Sequence, residues 1–292
     1  MAYDDTKWGG FAKIIVDTST MTVGDTVRVK SITTGTNYDK QVVTVGTPLI
    51  WETDIYKDYV KICMVQTIND TPTEIGGVYK TVDYGQTLYI NVLDKTTLGG
   101  IQGILNAHQE TSLLNIGDEV NVLISGVEEK YVICGLNLYD SHEALFISKY
   151  LSDTDANLAP ANYSARTSAL SFLNSLYSNI DERDRQYIKD KVVKYYNWGA
   201  IGTVTQKVWI PSTGEVTGYA NEINNGVKQF PMFATQSSRI KYSKDGIARL
   251  WQTASCTQAS GSTDYLNTSG AMTYAPSGNT RILSGFRLVA DS

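Results

Sequence analysis

The sequence of 292 residues contains few of the side chains from which catalytic and metal sites are usually built. It has two histidines, His108 and His142, and three cysteines, Cys63, Cys134 and Cys256, with no CxxC pair. An odd number of widely spaced cysteines predicts reduced, buried thiols and no disulfide framework. We therefore expect no metal site, no cofactor and no catalytic residues.

Clusters of positive charge and long apolar runs are missing as well. Lys and Arg number 25 against 30 Asp and Glu, and the net charge is -5, so nucleic acid is not an expected partner. No apolar run reaches the roughly 18 residues that a membrane span needs. The opening residues do not resemble a secretory signal, and we expect a product without membrane insertion or a targeting segment.

The motifs of the common enzyme classes are also lacking. There is no phosphate-binding GxxxxGK[ST] loop, no GxGxxG after a strand and no GxSxG around a serine. Asp153, Asp155 and Asn157 imitate the start of a calcium-binding EF-hand loop, but Leu158 replaces the required Gly and Ser164 the bidentate Glu. An EF-hand is excluded, and an irregular calcium site stays open as an alternative.

Carboxylates alone are plentiful enough for glycoside hydrolysis, which needs only two at the right separation. Ser212 and Glu215 have the spacing of a capping box, which predicts a short helix there and competes with a catalytic role for Glu215. Degradation of a polysaccharide is therefore the weaker alternative. The other candidate carboxylates are Glu128, Glu129, Glu143 and Glu222.

The first 95 residues show short alternating apolar runs that are separated by turn residues, with no helical period. This pattern predicts seven strands that form an all-β, immunoglobulin-like sandwich. We take residues 1–95 as this domain and expect it to serve attachment or spacing. The predicted strands are 11–16, 26–32, 40–45, 48–52, 59–66, 77–82 and 87–93.

From residue 96 the pattern becomes mixed, which predicts a second, α+β domain over 96–292. Thr97 and Asp181 are placed to cap helices, and His108 is interpreted as a residue at the edge of the core rather than a ligand. The predicted helices are 97–110, 164–178 and 182–197, and the predicted strands are 119–125, 129–135, 144–149, 207–210, 248–253 and 281–289.

Residues 252–280 carry a single charge, Asp264, and are rich in Ser, Thr, Gly, Asn and Tyr, which predicts loops with short strands. We place Trp251 and Phe286 in the core beneath them. If recognition is the function, the best ligand-binding candidates are Tyr265, Asn267, Tyr274 and Asn279. Packing of these residues against neighbouring subunits is the alternative.

Tyrosine is over-represented, with 19 Tyr against 6 Phe. A tyrosine ring contributes apolar area while its hydroxyl tolerates water, so this excess favours a recognition surface or a subunit interface. We expect a homo-oligomer, with a trimer favoured. The alternative is that the tyrosines simply occupy strands.

Six segments together carry a family resemblance. They are 116–120, 129–134, 143–149, 209–216, 248–253 and 284–289. They resemble an uncharacterised domain common in proteins of gut Firmicutes and their phages. The closing Gly-Phe-Arg-Leu-Val is similar to the last core strand of C-type-lectin-like and formylglycine-generating-enzyme-like folds. This resemblance implies a C-type-lectin-like α+β domain in which loops before the final strands meet ligands.

An immunoglobulin-like module followed by such a domain resembles a tailed-phage structural protein: a head fibre, decoration protein or tail adhesin. The resemblance implies a virion location, other capsid or tail proteins as partners, and a domain that recognises a host-surface glycan or protein. Purely structural decoration or joining, without receptor binding, is the alternative. Because Cys256 has no second cysteine near it, we expect no formylglycine-generating activity.

Overall fold

The computed structural model describes residues 12–19, 21–53, 57–68, 71–157, 162–257, 262–275 and 279–291. Strands outnumber helices, with 42% strand and 19% helix, which agrees with the expected α+β class. The chain divides into two compact units, Met1–Gln109 and Glu110–Ser292. Among the described residues, no helix is long and apolar enough to cross a membrane.

The first unit contains two sheets made from the seven strands that the alternation predicts. Their orders are β4-β1-β7 and β3-β2-β5-β6, and all neighbours are antiparallel except β1 and β7. The third strand lies a few residues earlier than predicted. The strands are β1 (Ala12–Val16), β2 (Thr26–Ser31), β3 (Asn37–Gln41), β4 (Leu49–Thr53), β5 (Lys57–Ile68), β6 (Thr71–Asp83) and β7 (Thr87–Ile90).

The register of the longest hairpin, β5–β6, shifts at a bulge between Ile62 and Met64. Gly77 faces this bulge with a φ of +122°, and a Cβ there would lie 2.8 Å from the carbonyl oxygen of Ile62. Only glycine accepts both the positive φ and the close approach of the other backbone.

Helix α1 (Leu98–Asn106) corrects the predicted position of the domain boundary. The helix begins after Thr97, whose side chain accepts from the Gly100 amide as expected of an N-cap. All nine helical residues are buried, and the helix packs on β6, so it belongs to the first unit and not to a domain 96–292. His108 follows the helix in a left-handed conformation with φ +56° and is exposed, not at a core edge.

The second unit contains a four-stranded sheet of order β18-β10-β9-β8. Strand β10 is buried except at Ser148, the second half of β9 is also buried, and the rings of Phe146 and Phe286 stack across β10 and β18 with centroids 5.0 Å apart. The strands are β8 (Glu119–Ile124), β9 (Val127–Leu136), β10 (Glu143–Ser148) and β18 (Gly285–Val289), and the nearby helices are α2 (Glu110–Leu113) and α3 (Thr167–Asn179).

The predicted helix 182–197 is wrong beyond its first turn. Asp181 caps α4 (Glu182–Arg185) as expected, but β12 (Lys191–Asn197) then pairs along its whole length with β13 (Ala200–Gln206). Lys191, Val193 and Tyr195 are buried in alternation, which is the period of a strand. Val and Tyr also favour strands. This preference and the pairing with β13 outweigh the helical spacing of apolar residues from which the helix was predicted.

Short elements complete the second unit. Of the predicted strand 207–210, only Trp209 pairs, in a single bridge with Gly285. Of the predicted strand 248–253, only Trp251–Gln252 forms a strand. Trp251 and Phe286 are both fully buried. The remaining elements are α5 (Thr213–Thr217), α6 (Ala220–Ile223) and a sheet of order β11-β17-β14-β15-β16, formed by Ala156–Asn157, Asn279–Ile282, Trp251–Gln252, Thr263–Leu266 and Met272–Ala275 in that order.

The three cysteines are buried and form no disulfide, as the odd count predicts. Burial raises the pKa of the Cys63 thiol to about 12 and that of Cys134 well above its usual value. Both thiols therefore stay protonated at neutral pH, and the protonated thiol is a poor nucleophile.

The close packing of α1 can be tested at Gly100. A Cβ at this position would lie 2.0 Å from the carbonyl oxygen of Asp94, whereas a Cβ at Gly103 would lie 3.1 Å from the side chain of Leu93 and 3.6 Å from the carbonyl oxygen of Val92. We expect Gly100→Ala to lower the free energy of unfolding by about 1–3 kcal/mol, although alanine favours helices. Gly103→Ala is the control and should change it much less. Equal effects in urea denaturation would contradict this account.

Lys241 gives a pH-dependent prediction. Its ammonium lies 5.2 Å from the centre of the Phe233 ring, and burial lowers its pKa to about 8 from a usual value near 10.5. Because the folded state binds this proton more weakly, the penalty is full below pH 8 and fades as the pH rises to 10.5. Lys241→Met should therefore stabilise the fold most below pH 8. A stability difference from the wild type that is constant over pH 7–10.5 would contradict the prediction.

Candidate functional site

The β12–β13 hairpin ends in an unusual turn. Its two turn residues, Trp198 and Gly199, both have positive φ, +35° and +89°, as in the tight turns that suit the twist of a hairpin. Asn-Gly is the usual pair in such a turn, because asparagine tolerates this conformation and bulky residues do not. A tryptophan at this position therefore works against local stability.

Trp198 is also 62% exposed, so its indole contributes little to the core. Its backbone is nevertheless held firmly, because its amide donates to the carbonyl oxygen of Cys256 at 3.1 Å and the Cys256 amide donates to Tyr196 at 2.7 Å. The hairpin tip thus presents a large aromatic ring to solvent from a fixed backbone. Tryptophan is enriched among the residues that contribute most to binding at protein interfaces.

A polar cavity of about 450 Å³, which we call the asparagine cleft, lies beside this turn. One wall comes from the hairpin and the other from α6 and the residues that follow it. None of the described residues that line the cleft carries a charged side chain. Its lining residues are Tyr196, Gly199, Ala200, Ile201, Asn221, Asn224 and Asn225.

The amides of the cleft are partly fixed and partly available. Asn221 donates through Nδ2 to the hydroxyl of Tyr219 at 3.0 Å, and Asn225 donates to the Asn221 carbonyl oxygen at 2.7 Å. The rings of Tyr196 and Tyr219 meet edge to face, with centroids 5.5 Å apart. These contacts orient the amides while leaving their side-chain oxygens able to accept.

A buried carboxylate holds the two walls together. Glu222, on α6, accepts through Oε1 from the Tyr196 amide at 2.9 Å and from Ser255 Oγ at 2.5 Å, and through Oε2 from the Gly214 amide at 2.6 Å. Burial raises the pKa of this carboxyl group. Because both oxygens are already engaged, Glu222 is a positioning residue for the cleft.

The chemistry of the cleft is that of neutral recognition. Amide groups donate to and accept from hydroxyls, and an exposed aromatic ring covers an apolar face of a bound molecule. Within the part of the chain that the structure describes, the lining contains no carboxylate, lysine or histidine to transfer a proton. The arrangement suits binding of a polyhydroxylated, uncharged ligand.

The structure does not bring the four predicted ligand residues together. Tyr265 and Tyr274 lie on the paired strands β15 and β16, but they point to opposite faces because Tyr274 is opposite Asp264 and Tyr265 is opposite Thr273. Asn279 begins β17, which β14 separates from β15. Tyr274 is 52% exposed, Tyr265 is half-buried and Asn279 is exposed.

Asn267 has a local structural role. Its Oδ1 accepts from the amides of Ser269 and Ala271 and from the Ser269 hydroxyl, at 2.7–3.0 Å, and so holds the turn between β15 and β16. An asparagine used in this way stabilises a turn without any ligand.

The other candidate carboxylates also have structural partners. Ser212 and Glu215 form the predicted capping box, and Glu215 Oε1 pairs with buried Lys191 at 2.5 Å and accepts from Tyr139 at 2.8 Å. Glu143 is fully buried and pairs with Arg287 at 2.9 Å. Glu129 pairs with Lys244, and Glu128 is exposed next to it on β9.

Metal binding finds no support in the part of the chain that the structure describes. Within those residues, no three His, Cys, Asp or Glu side chains are grouped to hold an ion. Asp155, from the calcium-like segment, instead pairs with Arg281 at 2.9 Å.

Sequence reasoning missed the hairpin tip because it placed Trp198 just beyond a helix. The signal that could have found it is the Trp-Gly pair between two runs of alternating Val, Tyr and Thr. The run of Asn residues at 221, 224 and 225 carried no pattern of its own, since these side chains reach Tyr196 only through the fold.

Residues 142–282 match the profile of a family described as a domain of unknown function (DUF6273). The match spans just under half of the chain and includes every residue that lines the asparagine cleft. Comparison with curated proteins found no match, and comparison with solved structures found none either.

The cost of Trp198 to the fold can be measured. We expect Trp198→Asn to raise the free energy of unfolding by about 1 kcal/mol, because asparagine adopts a left-handed conformation with less strain. Gly199→Ala is the control in the same turn and should lower stability, since alanine resists a φ of +89°. Loss of stability in Trp198→Asn would mean that the indole contributes packing to the fold.

Proposed function

We propose that the protein is a non-enzymatic virion protein of a tailed phage whose second unit recognises a host-surface glycan. A head fibre, a decoration protein and a tail adhesin are the forms this role takes. The observation that carries the proposal is Trp198, a strained and exposed residue of the turn whose next residue, Gly199, lines a cleft of neutral amides. A residue that costs stability and adds little to the core is most simply explained by binding.

The finer fold assignments belong to this proposal. We infer that the first unit is an immunoglobulin-like sandwich that attaches the protein, and the division of its seven strands between a three-stranded and a four-stranded sheet supports this. We infer that the second unit is C-type-lectin-like, and the position of the last strand, β18, beside buried β10 supports this.

The second candidate role is structural decoration or joining without receptor binding. It is favoured by β3, an edge strand of the first unit whose five residues are all exposed. Such an edge is open to pairing with another chain. Tyr38 on this strand and Ile50 on the edge strand β4 are both substantially exposed, which suits contact with other virion proteins or with further copies in a homotrimer.

Trp198→Ala should weaken binding of the purified protein to host cells about tenfold, because stacking on an aromatic ring contributes up to about 1.5 kcal/mol. Asn221→Ala should weaken it similarly through loss of an amide. Tyr89→Ala is the matched control, since Tyr89 is a more exposed aromatic residue of the first unit. Binding is measured by flow cytometry of labelled protein, on cells with and without periodate oxidation of their glycans.

Recognition of a glycan is supported if periodate removes binding and Tyr89→Ala retains it. If instead protease treatment of the cells abolishes binding and periodate does not, the ligand is a protein. The decoration role is the better account if Trp198→Ala and Asn221→Ala both bind host cells as the wild type does and if phage particles that lack the protein are unstable.

A further inference from the structure

A pocket in the second unit lies between α3 and one end of the four-stranded sheet. It measures about 250 Å³ and is found at the end of the sheet where β8 turns into β9 and β10 finishes. Unlike the asparagine cleft, it is lined mainly by apolar side chains, and we call it the aromatic pocket. These side chains include the rings of Tyr131, Tyr150 and Phe172 and the aliphatic groups of Ile124, Leu176 and Ile282.

The wall formed by the sheet is the open end of its packed face. Tyr131 on β9 and Ser148 on β10 are direct cross-strand partners, so their side chains share one face of the sheet. Phe146 lies two residues before Ser148 and therefore on that same face. The ring of Tyr131 also meets that of Phe286, with centroids 4.8 Å apart. The pocket thus continues the aromatic core of the second unit toward the surface.

The opposite wall is formed by α3. Ala169 and Leu173 of this helix are buried in the fold. Phe172 and Leu176, in contrast, are only half-buried and line the pocket. Residues four positions apart lie on the same side of a helix, so these two side chains form one apolar stripe. The fold leaves part of this stripe in contact with water, and an apolar ligand would remove it from water. The wall therefore favours an apolar occupant.

The charged side chains of the described lining balance one another. They are Glu129, Lys130, Asp153 and Lys244, two of each sign. Lys244 pairs with Glu129, and its ammonium lies 4.0 Å from Asp153. Lys130 pairs with Glu119 at 2.9 Å. Because these charges are already paired, a charged ligand would gain little from them and would lose part of its hydration. The ligand that fits the pocket is therefore uncharged.

The volume and the lining together define the size and kind of ligand. A cavity of about 150 Å³ is enough to bind benzene, so one of about 250 Å³ accommodates two fused rings. A flat aromatic ligand also packs well against the rings of the lining, edge to face or offset. We propose that the aromatic pocket binds an uncharged aromatic molecule of two fused rings. The site is separate from the asparagine cleft and does not depend on the function proposed for it.

The test is isothermal titration calorimetry of the full chain with three probes that share one ring system. Indole is uncharged, indole-3-acetate adds a carboxylate and tryptamine adds an ammonium. We expect indole to bind and both charged counterparts to bind several-fold more weakly, because the charges of the lining are already paired. A charged counterpart that binds more tightly than indole would overturn the assignment of an uncharged ligand.

Leu176→Trp places a large ring inside the pocket and should raise the Kd of indole at least tenfold. Leu170→Trp is the matched control, because Leu170 is a half-buried residue of the same helix that is not part of the pocket lining. This control should bind indole as the wild type does. Phe172→Leu keeps an apolar side chain but removes a ring, and it should raise the Kd several-fold. Trp198→Ala should leave indole binding unchanged.

Two further results would overturn the proposal. The first is no binding of indole at millimolar concentration. The second is binding of indole that neither Leu176→Trp nor Phe172→Leu weakens, although both variants melt as the wild type does. If Leu176→Trp does not fold, Phe172→Leu still decides the matter, since it removes a ring without adding a larger side chain. None of these results bears on the Trp198-dependent binding of host cells.

Discussion

The arrangement of the second unit depends on the buried carboxylate of Glu222. It accepts from backbone or side-chain donors on β12, on α5 and at Ser255, three segments that are far apart in the sequence. Burying a charged group is costly unless donors surround it, so the carboxylate stabilises only an arrangement in which all three segments are in place. Replacing it with an apolar side chain would leave two amides and a hydroxyl without an acceptor.

A second buried group acts on the same segment. The guanidinium of Arg166 is fully buried and donates to the carbonyl oxygens of Thr253 at 2.6 Å and Ser255 at 3.2 Å. Burial lowers its pKa to about 10, so it remains charged at neutral pH. The segment at Ser255 is thus fixed from two sides, and Cys256 follows it directly. This rigidity explains how the Cys256 carbonyl can hold the strained backbone of Trp198.

Much of the local structure could be predicted from the sequence, because some signals depend only on near neighbours. The alternation in the first 95 residues predicts the seven strands, and Ser212 with Glu215 predicts a capping box that the structure contains. The segment 182–197 shows the limit of this reasoning. The positions of Val193 and Tyr195 fit both the period of a helix and that of a strand. The pairing of this segment with β13 makes it a strand.

The site was harder to predict than the fold, for a related reason. A cleft between a hairpin and α6 exists only once distant residues meet, and a lone Asn or Thr carries no sign of it. The predicted loop residues were chosen by composition, which indicates exposure but not which face of a strand a side chain occupies.

The free thiols make the fold independent of redox conditions. A protein held by disulfides must meet an oxidising environment to become stable and weakens again in a reducing one. Here Cys63, Cys134 and Cys256 are buried and form no disulfide, so no covalent bridge contributes to the fold. The same structure therefore persists with or without reductant, so the protein can fold in one compartment and act in another without any change in its covalent connections.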